Sequence, residues 1–360
     1  MSKSKLSNKD NSKKGSQATI DIAILGATGL VGETLLTVLE ERAFPIGRLY
    51  PLASKQSKGT TVLFHQKPLK VLDAETFDFS KVALAFFAVN NEQAAHYAER
   101  ATQTGCLVID NSSQFRYEDD VPLVVPEVNP EAIAGYAQRN LIANPNCSTI
   151  QMVVALKPIY DAVGIQRIEV ATYQSVSGTG KKALQELAEQ TVHWLHGRPI
   201  ETNIYPKQIA FNVLPHIDAF QENGYTREEM KMVWETQKIL NDPDIQVNPT
   251  AVRVPVFFGH SEAIHLQTQR PITAVQATTL LRAAPGIIVV DDQDEEDEGG
   301  VDYPTPATHL PQGDAVYVGR IRQDLSSNCG LNLWVVADNI RKGAALNAIQ
   351  IAELWLSDYR

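Results

Sequence analysis

Thr19-Ile20-Asp21-Ile22-Ala23-Ile24-Leu25-Gly26-Ala27-Thr28-Gly29-Leu30-Val31-Gly32 is the stretch on which the fold turns. A β-branched run stops at glycine, and Val31, Leu35, Val38 and Leu39 then recur at helical spacing. The segment reads as strand, tight turn, helix. Gly26, Gly29 and Gly32 permit the turn and a close approach of backbone to a pyrophosphate, whose charge the helix N-terminus stabilises. A glycine triplet alone is weak. Between a strand and a helix it points to a dinucleotide, with a plain strand-to-helix turn as the alternative.

The next strand bears on which dinucleotide. A site for NAD usually presents Asp or Glu about 20 residues downstream to hold the ribose 2'-hydroxyl. This chain has Ala53-Ser54-Lys55-Gln56-Ser57-Lys58-Gly59 there, hydroxyls and ammonium groups that suit a 2'-phosphate. Ser and Lys are also ordinary loop residues, which leaves a simple polar loop as the alternative.

Further strand-like runs at 48–53, 82–89, 107–110 and 141–143 alternate in part with helical stretches such as 92–104, which implies a parallel sheet covered by helices. After residue 147 the pattern changes. Strands are expected at 167–175, 253–258, 263–268, 315–321 and 331–337, with helices at 181–195 and 226–240. The fold class is therefore α/β: a Rossmann-type dinucleotide-binding domain (19–146) and an α+β catalytic and dimerisation domain (147–338) on a mostly antiparallel or mixed sheet. An amphipathic C-terminal helix (339–360), with Ala345, Ile349 and Ala352 on one face, is expected to return to the first domain. Residues 1–18, rich in Lys, Ser and Asn, read as a disordered tail and not a signal peptide. The acidic run 291–300 has no defined ligand spacing and reads as a solvated loop.

With 360 residues, 44% hydrophobic and 21% charged, the chain can build two cores. A net charge of -10 and a pI near 5.3 argue against broad binding to nucleic acid or anionic membranes, but leave room for a local basic pocket. No apolar run is long enough to span a bilayer. Three widely spaced cysteines form neither a disulfide framework nor a metal motif, and fit a cytoplasmic protein without a metal.

Cys147 is the cysteine with chemistry in its setting. It lies in Asn144-Pro145-Asn146-Cys147-Ser148-Thr149, ahead of an apolar helical run. Pro145 disfavours helix at Asn144, and Asn146 or Ser148 can cap, so Cys147 falls at the positive end of a helix dipole. That field is expected to lower the thiol pKa and favour the nucleophilic thiolate. A small buried residue at a crowded turn is the alternative.

Taken in order, GATGLVG (26–32), DNSSQFR (110–116), NPNCST (144–149), QSVSGTG (174–180), REEMK (227–231), RVPVFFGHSE (253–262), YPTP (303–306), GRIR (319–322) and DNIRKGAALNAIQIAE (338–353) make the chain, from about residue 19 to its C-terminus, resemble the aspartate-β-semialdehyde dehydrogenases. The resemblance implies an NADP-dependent homodimer, active in lysine, threonine and methionine biosynthesis, that reduces L-aspartyl-4-phosphate to L-aspartate-4-semialdehyde through a cysteine thioacyl intermediate. It implies that Cys147 is the nucleophile, His260 the general acid/base and Gln174 the residue that orients the substrate. It assigns Arg253 to the substrate carboxylate, Glu228 to its amino group, and Arg116 with Lys231 to phosphate. For the cofactor it points to Gly26, Thr28, Gly29, Leu30, Val31, Gly32, Ser54, Ser57, Ser177, Gly178 and Asn339. Gln56 departs from the family, which often has arginine there, so Lys55 and Lys58 are left to supply charge. The segment Phe86-Phe87-Ala88-Val89-Asn90-Asn91 departs as well.

Taken alone, these residues have plainer explanations. Glu228 and Lys231, at i and i+3, suit an exposed helical ion pair, and Arg116 could pair with the acids at 118–120. Strict alternation along one strand would put Arg253 and His260 on opposite faces, so their joint use requires a bend or bulge near Gly259. Another acyl-phosphate reductase, acting on an N-acetylated glutamyl phosphate, is the nearest alternative enzyme; a paralogue that only binds is the other.

Overall fold

β1 (Ile20–Leu25) ends at Gly26, whose φ of +87° lies in the region that favours glycine. A Cβ at Gly26 would lie 2.2 Å from the Ala88 carbonyl oxygen, so the loop admits no side chain there. Gly29 is the N-cap of α1 (Leu30–Glu41), which turns Leu35, Leu36, Val38 and Leu39 into the core. In this computed structural model residues 19–291, 301–310 and 313–360 are described; the expected tail at 1–18 and the acidic run beyond Asp291 lie outside them.

The chain returns as β2 (Ile46–Ala53), parallel to β1, makes a hairpin of β3 (Thr61–Phe64) and β4 (Lys67–Lys70), and adds the short β5 (Leu72–Asp73) outside β2. It then crosses to β6 (Leu84–Phe87), α2 (Asn91–Thr102), β7 (Leu107–Asp110) and β8 (Leu141–Ala143). The six strands run parallel in the order β5-β2-β1-β6-β7-β8. The order reverses between β1 and β6, and the glycine loop sits at the carboxyl end of β1, where open α/β sheets bind ligands.

α3 (Cys147–Val163) leads into the second layer system. Its strands are β9 (Ile165–Gln174), β10 (Gln246–Arg253), β11 (His260–Thr268), β12 (Ile287–Val289), β13 (Val316–Gln323) and β14 (Gly330–Ala337), with α4 (Lys181–Leu195), α5 (Arg227–Leu240), α6 (Ala274–Ala283) and the single turn α7 (Pro306–His309) between them. The sheet order is β10-β9-β11-β14-β13-β12, antiparallel at its centre and parallel at both edges, hence mixed. α3, α5 and α6 cover one face. The other carries exposed Glu169, Tyr173 and Gln267 and partly exposed Ala171, Ala263, His265, Asn332 and Trp334.

One expected strand is misplaced. Residues 254–258 are irregular: the strand precedes them, as β10, and ends at Arg253. Val254 donates its N–H to the Gln174 carbonyl, and Val256 and Phe257 accept from Val176 and Ser177, so the segment crosses the end of the sheet instead of extending it. Gly259, with φ +88°, turns the chain into β11. This bend puts Arg253 and His260 on separate strands and removes the alternation problem.

The C-terminal segment does not start as an α-helix. Residues Arg341–Ala345 form a π-helical turn before α8 (Leu346–Asp358). α8 buries Leu346, Ile349, Ile351, Ala352 and Trp355 in the same core as β1 and α1. No helix among the described residues is long and apolar enough to cross a membrane.

Candidate active site

Cys147 opens α3, with Asn146 as N-cap: the Asn146 Oδ1 accepts from the backbone N–H groups of Ser148 (3.0 Å) and Thr149 (3.3 Å). The helix start is therefore already satisfied by a side chain. Burial, then the Glu228 carboxylate, push the Cys147 thiol up to about 12, against the opposing pull of Arg253, Arg116 and Lys231. The lowering expected from the helix start is thus opposed in the resting protein by desolvation of the charged form. Of the other cysteines, Cys106 is fully buried ahead of β7, where burial drives its thiol up to about 12, and Cys329 leads into β14.

One face of α5 supplies acidic and basic groups to Cys147. Glu228 and Lys231 form an ion pair (3.0 Å), and Lys231 also reaches Asp218 (2.9 Å). Glu228 is buried and Lys231 only 12% exposed, so this is not the exposed pair that spacing alone suggests. The other oxygen of Glu228 accepts from Asn146 Nδ2 (2.9 Å) and Gln174 Nε2 (3.3 Å). Burial alone would raise the Glu228 carboxyl, but Lys231, Asn146 and Arg253 overcome it and bring it down to about 2. Gln174, at the end of β9, also donates to Ser148 Oγ (2.9 Å), so its amide spans the nucleophile helix and Glu228.

Arg116 is buried and partnered, but not with residues 118–120. Its Nη1 donates to Glu235 (2.9 Å) and its Nη2 to the Asn111 carbonyl (2.8 Å), while Nε has no partner. The acids at 118 and 120 pair with Arg139 instead. Glu235, one turn beyond Lys231 on α5, is the residue that sequence reasoning missed. Only the tertiary fold brings it to Arg116.

Arg253 and His260 meet at Gly178. A Cβ on Gly178 would lie 3.2 Å from Arg253 Nη1 and 3.6 Å from His260 Nε2, so glycine keeps the space between them open. Arg253 Nη1 donates to the Ser175 carbonyl (2.7 Å), and its Nε is buried without a partner. The Ser175 backbone N–H donates to His260 Nδ1 (3.1 Å). A backbone N–H only donates, so Nδ1 is the acceptor and the proton of the neutral ring lies on Nε2, which is buried and unpartnered. Burial, then Arg253, hold the imidazole down to about 3. His260 is therefore a neutral hydrogen-bond donor at rest.

The cofactor side begins at Asn339. Its Oδ1 accepts from Ser175 Oγ, Ser177 Oγ and Gly259 N, which leaves its Nδ2 buried and unpartnered. At the glycine loop, Gly32 packs so closely that a Cβ would lie 2.2 Å from the Gly26 oxygen, while Leu30 and Val31 form the first turn of α1. Lys181, from the second domain, donates to the Thr28 carbonyl (2.9 Å) and pairs with Glu33 (2.7 Å), which puts an unforeseen cation beside this loop. Ser54 is the N-cap of a short 3-10 turn (Lys55–Ser57) after β2, and Ser57 ends it. An acid does lie nearby: β5 sets Asp73 opposite Ala53. Its carboxylate accepts from Glu75 N and pairs with Lys58 (3.7 Å), so it is already engaged. The tight glycine turn at the start of α1 and the free Asn339 amide fit a dinucleotide. Among the described residues no His, Cys, Asp and Glu group could hold a metal ion.

A thiol among charges of both signs, with a free imidazole N–H at hand and a dinucleotide cradle alongside, suits hydride chemistry on an acyl group carried by sulfur; the class is that of the aldehyde-forming dehydrogenases. Residues 21–136 match the family model for the semialdehyde dehydrogenase NAD-binding domain, and residues 156–342 that for the semialdehyde dehydrogenase dimerisation domain. The chain is 62% identical to the aspartate-semialdehyde dehydrogenase of Legionella pneumophila, over 94% of this chain and 96% of that protein. It superposes on aspartate semialdehyde dehydrogenase II of Vibrio cholerae, solved in complex with ASA, with a TM-score of 0.92 at 57% identity, over 95% of this chain and 99% of that one. The NADP-bound enzyme of Candida albicans is more distant: TM-score 0.72 at 25% identity, over 94% and 98% of the two chains. The chain belongs to the aspartate-semialdehyde dehydrogenase family.

Proposed function

We propose that the chain is a cytoplasmic, homodimeric enzyme that reduces L-aspartyl-4-phosphate to L-aspartate-4-semialdehyde, on the way to lysine, threonine and methionine. One observation carries the choice of substrate: Glu228 and Arg253, an anion for an ammonium group and a guanidinium for a carboxylate, both lie within electrostatic reach of Cys147. An N-acetylated substrate would leave Glu228 facing a neutral acetamide.

Cys147 Sγ attacks the acyl carbon, the bond to the phosphate oxygen breaks, and the thiol proton leaves on the phosphate. Lys231 and the donors left on Arg116 hold that phosphate. Gln174 orients the bound substrate, and His260 Nε2–H donates to the carbonyl oxygen as negative charge develops there. The glycine loop, Ser54, Ser57, Ser177, Gly178 and the free Asn339 amide hold NADP, with Lys55 and Lys58 near the 2'-phosphate. NADPH, when bound, supplies the hydride.

The test is the reverse reaction. NADP reduction should saturate with both L-aspartate semialdehyde and inorganic phosphate, and N-acetylglutamate semialdehyde should be a poor substrate. Phosphate-independent turnover would indicate a hydrolytic aldehyde dehydrogenase, and preference for the acetylated aldehyde would remove the role given to Glu228.

A further inference from the structure

We propose that Glu235 is a positioning residue that ties Arg116 to the helix cap of the nucleophile, an inference that rests on Arg116 holding phosphate. Glu235 is 0% exposed on α5 and shares a face with Glu228 and Lys231. Its Oε1 takes Arg116 Nη1 at 2.9 Å, and its Oε2 takes the Asn146 backbone N–H at 2.6 Å. Asn146 in turn caps α3 through its Oδ1 and reaches Glu228 through its Nδ2. One carboxylate therefore fixes both the residue beside the thiol and the direction of the phosphate cation. With Nη2 on the Asn111 carbonyl, the guanidinium keeps an unpartnered Nε–H and further hydrogens that an anion could accept.

The geometry requires a carboxylate. Three donors arrive, Arg116 Nη1 and Tyr117 Oη (3.4 Å) at one oxygen and the Asn146 N–H at the other, whereas a glutamine presents one oxygen and one NH2, so the guanidinium or the N–H would meet another donor. The two arms separate kinetically: the Arg116 arm acts on phosphate binding, and the Asn146 arm acts on Cys147 and hence on kcat.

The experiment is a double-mutant cycle of Glu235→Gln and Arg116→Ala, followed by initial rate against phosphate concentration in the oxidative direction. Arg116→Ala should raise the phosphate KM about tenfold. Glu235→Gln should raise it severalfold and lower kcat. Combined with Arg116→Ala, Glu235→Gln should leave the phosphate KM where Arg116→Ala put it but still lower kcat. The combined variant has no unpaired guanidinium, so its comparison with Arg116→Ala stands even if Glu235→Gln alone does not fold. Effects on KM that multiply, or an Arg116→Ala effect with no Glu235→Gln effect, would overturn the proposal. An unchanged phosphate KM in Arg116→Ala would instead fail at the prior step, the assignment of Arg116 to phosphate, and take the proposal with it.

Discussion

Cys147 lies where two electrostatic influences oppose each other. The start of α3 and three cations favour the thiolate, while burial and Glu228 disfavour it, and the balance leaves the thiol near 12. The thiolate fraction of the resting enzyme should then rise about tenfold per pH unit through the neutral and mildly alkaline range. Alkylation of Cys147 by iodoacetamide should climb without a plateau from pH 7 to beyond pH 9, and Cys147→Ala should abolish both turnover and this label. A plateau near neutral pH would mean that the helix start, not desolvation, controls the thiol. The presence of a thiol tool was legible in NPNCST. Its resting protonation was not, because it depends on burial and then on Glu228, which α5 brings from some 80 residues away.

Two elements do most to shape the cleft. α5 turns Glu228, Lys231 and Glu235 to one side; the first two were legible as a pair at i and i+3, but only the fold shows that Glu235 joins them and that both glutamates are buried. The second is the π-helical turn Arg341–Ala345. It brings Gly343 against the nucleophile: a Cβ there would lie 2.7 Å from the Cys147 Cβ. Gly343→Ala must push one backbone away from the other, at a cost of about 1–3 kcal/mol. Its kcat should fall at least about tenfold, a loss on the scale that misplacement of a reacting group produces, while its KM for phosphate stays near that of the wild type. Kinetics beside urea unfolding would check this, and an unchanged kcat would show that the turn yields without moving Cys147. The helical periodicity of 339–357 was legible, but the extra residue of a π-turn leaves almost no mark on a hydrophobic pattern.

At the scale of the whole molecule, the second sheet has a helix-covered face and an open one. Tyr173 and Trp334, with ring centroids 5.6 Å apart, and the smaller Ala171 and Ala263 make the open face broad and partly apolar. In the homodimer proposed above, this is the surface a second copy would cover. Tyr173→Asp should therefore shift sedimentation equilibrium from dimer toward monomer and make the Tm depend more steeply on protein concentration. An unchanged dimer would place the interface elsewhere.

The sequence by itself determined the parallel dinucleotide-binding sheet, the mixed second sheet and the residue types of the cleft. These follow from local signals: apolar period, glycines where no Cβ fits, and caps at helix starts such as Asn146 and Thr226. The tertiary structure alone decided which partner each charge takes. Arg116 found Glu235 and not its sequence neighbours, Asp73 found Lys58, and His260 accepted an N–H that fixes its ring proton on Nε2. It also ended the strand at Arg253, so that the break between β10 and β11 spans residues 254–259 and not only the bend expected near Gly259. The physical reason is range: backbone conformation answers to neighbours a few residues away, whereas the protonation and pairing of a buried group answer to whatever the fold packs around it.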